Sequence, residues 1–179
     1  MCQPKVNDHR VAIMLHKDGE RHIVFSNDGT LYTKGELKPE WVRELHAFFS
    51  KLDVDQPKGD WPWLVDGGVM GPAYGQDPHA LIIHDLPKLP YTYKERTSYI
   101  KKFPCWMLYG DPNDGVFHLP DHNPVFNTVH WVAMQEHNQE IDHHLYEGLV
   151  CKDPESSYPF QTNKKSFPSW VKYRFDQLN

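Results

Sequence analysis

The spacing of apolar residues changes several times along the chain, and this change constrains the fold more than any other feature. Two mostly apolar runs, at 10–16 and 22–26, are separated by turn-forming residues 17–20, which predicts a β-hairpin. From Trp41 to Leu52 the apolar residues recur at helical spacing instead, and Pro39 stands where a first-turn proline is favoured. The first third of the chain therefore predicts paired strands followed by a helix.

The rest of the chain mixes further strands and helices. Short strands are predicted at 31–33, 63–66, 80–84, 106–109, 149–152 and 171–175, helices at 93–103 and 136–145, and an irregular loop at 110–127. A regular strand–helix–strand alternation would indicate a parallel doubly wound sheet, but the sequence does not show one. The pattern predicts an α+β fold with largely antiparallel sheets flanked by helices.

Length and composition predict a single domain over residues 1–179. Aromatic residues make up 13% of the chain, which argues against disorder. The formal net charge of -5 argues against a protein that coats nucleic acid by bulk electrostatic attraction, although it is compatible with a local basic groove.

The sequence contains no apolar run long enough to cross a bilayer, and no basic-then-apolar leader opens it. Its three cysteines, Cys2, Cys105 and Cys151, are sparse and odd in number, which predicts reduced thiols rather than a disulfide framework. These features together predict a cytoplasmic protein with no membrane partner.

Several polar clusters follow one another in a fixed order. Each is ordinary by itself: Lys5 could be a solvated residue near a terminus, 147–148 a helix end, and Lys172 with Arg174 the exposed face of an edge strand. The order is what distinguishes this chain, with clusters at 4–10, 25–29, 64–68, 84–86, 93–96, 146–152 and 170–174.

This series resembles the ordered motifs of the covalent nucleotidyltransferases, the family of ATP-dependent DNA ligases, RNA ligases and mRNA capping enzymes. Lys5 and Arg10 match the family's K-x-D-G-x-R motif, and residues 147–152 match its E-G-[LV]-[VM]-x-[KR] motif throughout. The remaining matches are Ser26 to Gly29 at a serine-containing turn, Asp66-Gly67 at D-G-E, and Lys172 with Arg174 at K-x-K. The resemblance spans residues 4–175 and is greatest to compact viral and phage-type DNA ligases.

The resemblance implies a ligase-type, ATP-grasp-like nucleotidyltransferase domain without the OB-fold domain that the family appends. It implies the core of a polynucleotide ligase, which forms a covalent lysyl-AMP and transfers AMP to a 5′-phosphate end. The implied cofactors are ATP and Mg²⁺ or Mn²⁺. The implied partners are nucleic-acid ends, in DNA more than in RNA, together with a separate clamp domain or partner protein.

The resemblance also implies a role for particular residues. Lys5 would be the nucleophile, because a lysine amine can attack a phosphate once it is unprotonated. Lys172 and Arg174 would neutralise the phosphates, and Glu147 and Asp66 would contact the metal. His84 stands near the position where the family stacks an aromatic ring on the purine. The implied nucleotide-binding residues are Pro4, Lys5, Val6, Arg10, Ser26, Asp66, His84, Glu147, Lys172 and Arg174.

Five positions depart from the family's motifs. Gly68 replaces the glutamate of D-G-E, so that an expected ribose contact is missing, and Arg174 replaces a lysine that it does not equal chemically. Asp8, Asn7 and Asn27 replace a glycine, an aspartate and an arginine. Two other interpretations therefore stay open. One is a capping-type guanylyltransferase that uses GTP, and the other is a degenerate relative that binds nucleotide or nucleic acid without covalent chemistry.

Overall fold

The secondary structure comprises eight strands and three α-helices in the part of the chain that the computed structural model describes, namely residues 1–19, 21–33, 36–52, 62–105, 114–121, 128–141, 144–159 and 169–177. The helices are α1 (Pro39–Lys51), α2 (Tyr93–Ile100) and α3 (Thr128–Glu140). The strands are β1 (Cys2–Val6), β2 (His9–Leu15), β3 (His22–Ser26), β4 (Trp63–Met70), β5 (Ala80–Asp85), β6 (Gly115–His118), β7 (Tyr146–Lys152) and β8 (Trp170–Arg174).

These strands form two sheets of different size. The large sheet has five strands in the order β3-β2-β4-β5-β6, and the small sheet has three in the order β1-β7-β8. Neighbouring strands are antiparallel except for β5 and β6, which run parallel. The α+β class with largely antiparallel sheets, predicted from the sequence, is therefore confirmed.

One face of the large sheet packs against α1. The helix begins at Pro39, carries Glu40 in its first turn and Lys51 in its last, and so has the charge distribution that its dipole favours. Its residues Trp41, Val42, Leu45 and Phe49 are buried in a core shared with side chains of β2, β4 and β5. A fully buried side chain of this size stabilises the fold by about 1.5–3 kcal/mol.

The opposite face of the large sheet is divided into an apolar and a polar half. Met70, Ala80 and Ile82 belong to a second core, together with Leu149 of the small sheet and Met134 of α3. Further along the same strands, side chains on this face become polar, because residues two apart in a strand point to the same side. The small sheet therefore packs on the apolar half and leaves the polar half to form a cleft.

The segment after β7 ties α2 to the small sheet. Thr92 and Glu95 form a capping box at the start of α2. The backbone N–H groups of Tyr93 and Lys94 donate to the carbonyl oxygens of Ser156 and Pro154, at 2.8 and 2.9 Å. These bonds satisfy donors that a helix start leaves without an intrahelical acceptor, and they fix residues 154–156 beside the large sheet.

Several local predictions need correction. Residues 31–33 form no strand, only an isolated bridge between Phe25 and Leu31. The segment 110–127 contains β6, and β1 was not expected as a strand. Helix α3 spans Thr128–Glu140 rather than 136–145. Its Met134 is buried whereas Val132 is 48% exposed, so its apolar residues do not form one clear stripe. The predicted strand at 106–109 lies outside the described residues.

The prediction of reduced cysteines is wrong for two of the three. Cys2 and Cys151 face each other in the β1–β7 register and form a disulfide, with their Cα atoms 4.0 Å apart. Met1 and Lys152, the next pair along, exchange both backbone hydrogen bonds, so the cysteines occupy the closer, non-hydrogen-bonded position. Strand register thus created a pairing that a count of three cysteines did not indicate.

In the described residues, no helix has the length and apolar character needed to span a membrane.

Candidate functional site

A cleft of about 1720 Å³ lies between the polar half of the large sheet and the small sheet. Its lining comes from β1, β2, β3, β4, β5, β7 and β8, and from the turn after β3. All ten residues that the motif resemblance assigns to nucleotide binding line this cleft. They are spread over nearly the whole sequence, so only the pairing of distant strands brings them together.

Lys5 and Glu147 form an ion pair on adjacent strands of the small sheet. Lys5 pairs with Gly148 and Val6 with Tyr146, so the β1–β7 register shifts at Glu147, and the two side chains meet at this irregularity. The Lys5 side chain is 14% exposed and that of Glu147 is 29% exposed. Arg174 Nε lies 3.9 Å from the same carboxylate oxygen. Glu147 therefore stands between the amine of Lys5 and the guanidinium of Arg174.

Gly148 explains why a glycine follows Glu147. Its φ is +139°, a conformation that other residues rarely adopt, and a Cβ there would lie 2.0 Å from the carbonyl oxygen of Tyr173. The glycine therefore permits β8 to approach β7 and bring Arg174 opposite position 148. The pair 147–148 lies inside a strand, not at a helix end.

Three further cations line the cleft together with Lys5, the predicted nucleophile. Lys5, Arg10, Lys172 and Arg174 line the same cleft, and we call them the cationic cluster. Burial lowers the pKa of Lys172, and repulsion from Arg10, Lys5 and Arg174 lowers it further, against the attraction of Glu147. The four positive side chains therefore face one cleft, where an anion such as a polyphosphate would meet several of them.

Asp66 holds Arg10 in place from β4. Arg10 Nε donates to Asp66 Oδ1 at 2.9 Å and Nη2 donates to Oδ2 at 2.5 Å, and the Tyr158 hydroxyl donates to Oδ2 at 3.0 Å. Asp66 is 3% exposed. Burial would raise its pKa, but Arg10, and to a smaller extent His84 and Lys152, lowers it below the ordinary value. Asp66 is therefore an ionised, buried support for Arg10.

Arg10 itself remains charged in this setting. Burial opposes its charge, yet Asp66 raises its pKa above the ordinary value, with smaller contributions from Tyr158 and Asp8. Its guanidinium also lies 5.4 Å from the centre of the Trp170 ring. Arg10 thus links the large sheet to β8 of the small sheet.

Lys152 is a residue of the site to which the motif resemblance assigned no role. It is 4% exposed, its ammonium donates to the carbonyl oxygen of His84 at 3.1 Å, and it lies 4.5 and 4.3 Å from the ring centres of Tyr93 and Trp170. Burial lowers its pKa to about 8, although Asp85 and Asp66 oppose that shift. Its place as the last residue of the motif at 147–152 was the available signal.

The imidazole of His84 makes a polar contact with Asp8. Its Nε2 lies 2.6 Å from Asp8 Oδ2, and the two side chains are 16% and 12% exposed. Asp8 belongs to the short loop between β1 and β2 and lies above Gly68 of β4. Ser26, the last residue of β3, bonds to Asp28 and Thr30 and is partly buried at the edge of the cleft. The predicted stacking role of His84 stays a prediction.

Two carboxylates in the cleft, those of Glu147 and Asp66, are the candidates for contact with a divalent metal. Among the described residues, no three His, Cys, Asp or Glu side chains are grouped to hold a metal. Mg²⁺ in nucleotide sites is usually bound by one or two carboxylates together with substrate phosphates, and Glu147 is a partly exposed carboxylate on the cleft wall that fits this pattern. Asp66 already accepts three hydrogen bonds from Arg10 and Tyr158, so a metal there would compete with them, and its predicted metal contact stays a prediction.

Comparison with known proteins defines the fold of this molecule. No protein-family model and no curated protein sequence matches the chain. Solved structures do match: the ligase domain of M. tuberculosis LigD has a TM-score of 0.55 at 17% identity over 97% of this chain and 52% of that one. Two structures described as Pmar-Lig_Pre and Pmar-Lig_PreS3 give TM-scores of 0.58 and 0.57 at 17% and 16% identity.

Both of these also match over 97% of this chain, but over 41% of their own. The chain therefore spans about half, or less, of the length of the structures that it resembles. Their likeness shows that this chain has the α+β fold of a ligase nucleotidyltransferase domain.

Proposed function

We propose that this chain is the nucleotidyltransferase core of an ATP-dependent polynucleotide ligase and that Lys5 becomes covalently adenylylated. The observation that carries the proposal is the position of Lys5 in the cleft, paired with Glu147 and close to Arg10, Lys172 and Arg174. A primary amine beside several positive charges is suited to attack a phosphate. The cations would neutralise the negative charge of the phosphate under attack and of the departing pyrophosphate.

The proposed first step exchanges one phosphate bond for another. The unprotonated amine of Lys5 attacks the α-phosphorus of ATP, a P–N bond forms, the bond from that phosphorus to the bridging oxygen breaks, and pyrophosphate leaves. Lys5 must first lose a proton to solvent and release its ion pair with Glu147. Lys172 and Arg174 on β8 then stabilise the negative charge of the phosphates.

The metal that the reaction class requires fits at Glu147. A divalent cation bound there would neutralise phosphate charge and would compete with the Lys5 ammonium for the carboxylate. Asp66 serves the site through Arg10, and we propose no direct metal contact for it.

The later steps transfer AMP to a 5′-phosphate end and seal it to a 3′-hydroxyl. We propose DNA rather than RNA as the polymer because the motif order most resembles that of compact viral and phage-type DNA ligases. With a net charge of -5, the chain has little long-range attraction for a phosphate backbone, so a separate clamp domain or partner protein would hold the nicked duplex. Sealing nicks would make the protein part of DNA repair or replication.

ATP is supplied inside cells, so the proposed site of action is the cytoplasm. Cytoplasmic thiol buffers reduce disulfides, and the Cys2–Cys151 bond would therefore face reduction there.

Incubation with ATP and Mg²⁺ followed by intact-mass measurement tests the proposal. We expect one added AMP in the wild-type protein and none in Lys5→Ala, because no other amine is expected to occupy the attacking position. Lys51→Ala, which changes an exposed lysine at the end of α1, is the matched control and should be labelled like the wild type.

The same experiment separates the alternatives. A covalent label from GTP but not ATP would indicate the guanylyltransferase, and binding without any label would indicate the degenerate relative. An AMP adduct that persists in Lys5→Ala would place the nucleophile elsewhere and defeat the proposal.

A further inference from the structure

The carboxylate of Asp8 occupies the space in which a side chain at position 68 would begin. A Cβ built on Gly68 would lie 1.6 Å from Asp8 Oδ2, 2.3 Å from its Cγ and 2.9 Å from its Cβ. No side chain can therefore be added at position 68 while Asp8 keeps this conformation. The aspartate in the β1–β2 loop and the glycine in β4 form one arrangement, although 60 residues separate them.

Asp8 is held in this position from two directions. His84 Nε2 lies 2.6 Å from its Oδ2, and the His84 carbonyl oxygen in turn accepts from the buried Lys152. The backbone N–H of the preceding residue, Asn7, donates to the carbonyl oxygen of Leu145 at 2.8 Å. A carboxylate fixed in this way loses little conformational freedom when it binds a ligand, which favours affinity and geometric selection.

The charges around the cleft limit what Asp8 can bind. A carboxylate repels phosphate, so a polyphosphate would lie on the cationic cluster and not on Asp8. Asp8 is nevertheless close enough to Arg10 to raise the pKa of that guanidinium. A ligand group at Asp8 must therefore be a hydrogen-bond donor next to the phosphates. In a nucleotide, the ribose hydroxyls meet this requirement, and carboxylates commonly accept hydrogen bonds from ribose hydroxyls.

We propose that Asp8, held by His84 above Gly68, accepts hydrogen bonds from the ribose hydroxyls of the bound nucleotide and makes the cleft select ribonucleotides over deoxyribonucleotides. This inference rests on the proposed function, because it requires a nucleotide whose phosphates lie on the cationic cluster. The ribose contact that appeared lost at Gly68 is then supplied by a carboxylate from the neighbouring loop. The carboxylate of Asp8 thus takes the place of the glutamate side chain that Gly68 lacks.

Calorimetric titration with ATP, 2′-deoxy-ATP and 3′-deoxy-ATP tests this selection. We expect wild-type protein to bind ATP about 10-fold or more tightly than at least one of the deoxy analogues, the scale of a lost hydrogen bond to a charged group. In Asp8→Ala, the affinity for ATP should fall to the affinity for that analogue, so that the preference disappears. Asp18→Ala, which removes an exposed carboxylate in the β2–β3 turn, is the matched control and should keep the wild-type preference.

A rescue variant distinguishes sugar recognition from a general loss of structure. Asp8→Gly with Gly68→Glu removes the obstructing carboxylate and offers one from position 68, so it should regain a preference for ATP that Asp8→Gly alone has lost. Thermal melting identifies any variant that fails to fold. A folded Asp8→Ala that keeps the wild-type ratio of affinities would overturn the inference and leave Lys5 adenylylation standing. If the wild type neither binds ATP nor takes up AMP, the proposed function and the inference fail together.

Discussion

The two sheets of this molecule differ in what holds them together. In β4, at the centre of the large sheet, every residue except Leu64 is buried, whereas in β8, at the edge of the small sheet, every residue after Trp170 is exposed. The large sheet is stabilised by apolar burial on both sides. The small sheet depends on one apolar contact face and on the disulfide. It also carries Lys5, Glu147, Lys172 and Arg174, so the groups assigned to chemistry belong to the less protected part of the fold.

This difference has a physical reason. Groups that exchange partners during a reaction need positions from which they can move, whereas a group that only recognises a ligand can be fixed in advance. Asp66 and His84 lie on the large sheet and keep fixed hydrogen-bonding partners. The small sheet should therefore respond to redox conditions, to pH and to charge removal, while the large sheet should not.

The largest expected effect follows reduction of the Cys2–Cys151 disulfide. The bond closes a loop with a sequence separation of 149, and its loss should lower the free energy of unfolding by about 2–4 kcal/mol. Chemical denaturation with and without reductant measures this. Hydrogen exchange should show lost protection in β1, β7 and β8, with β2, β4 and β5 largely unchanged.

Cysteine variants supply the control for that measurement. Cys151→Ser should reproduce the effect of reductant, while Cys105→Ser, at an exposed position outside the pair, should leave stability unchanged. Equal loss of protection in both sheets would contradict the contrast between them. Three titratable thiols in the unreduced protein would show that the bond does not form.

A smaller effect is expected from the titration of Lys152. Its folded-state pKa of about 8 lies below the ordinary 10.5, so between these values the unfolded chain keeps a proton that the folded chain has released. Titration of Lys152 should therefore raise the free energy of unfolding by about 2 kcal/mol between pH 7.5 and 9.5. The difference between wild type and Lys152→Met, measured by denaturation across that range, isolates the site. A difference that does not change with pH would show that Lys152 stays charged in the folded protein.

The smallest free-energy effect should come from the exposed charges of the small sheet, and it should appear in rate rather than in stability. Glu147→Ala and Lys172→Ala should each slow adenylylation by about 10-fold or more, as expected for removing one charge-stabilising group. Arg174→Ala should act likewise. Quenched-flow measurement gives the rates, and melting temperatures should stay near that of the wild type, since β8 side chains after Trp170 are exposed. Unchanged rates in all three variants would mean that β8 serves only as a sheet edge.

The sequence predicted elements whose signals lie within a short window. The hairpin at 10–16 and 22–26 and the helix from Pro39 were recognisable because turn residues and apolar spacing are local properties. Strands β1 and β6 were missed because each is defined by a distant partner, β7 for the former and β5 for the latter. The disulfide was missed for the same reason, since it depends on the register of β1 against β7.

The sequence by itself determined which chemical groups are present and in what order, from Lys5 through Glu147 to Arg174. Only the tertiary structure decided which of them touch. It placed Lys5 against Glu147 and buried Lys152 between two aromatic rings, and it showed that Asp8 and Gly68, two separate departures in the sequence, are in direct contact. The reason is that motif order is encoded along the chain. Contact between residues 18 to 142 positions apart is set instead by strand register and by the packing of one sheet on another.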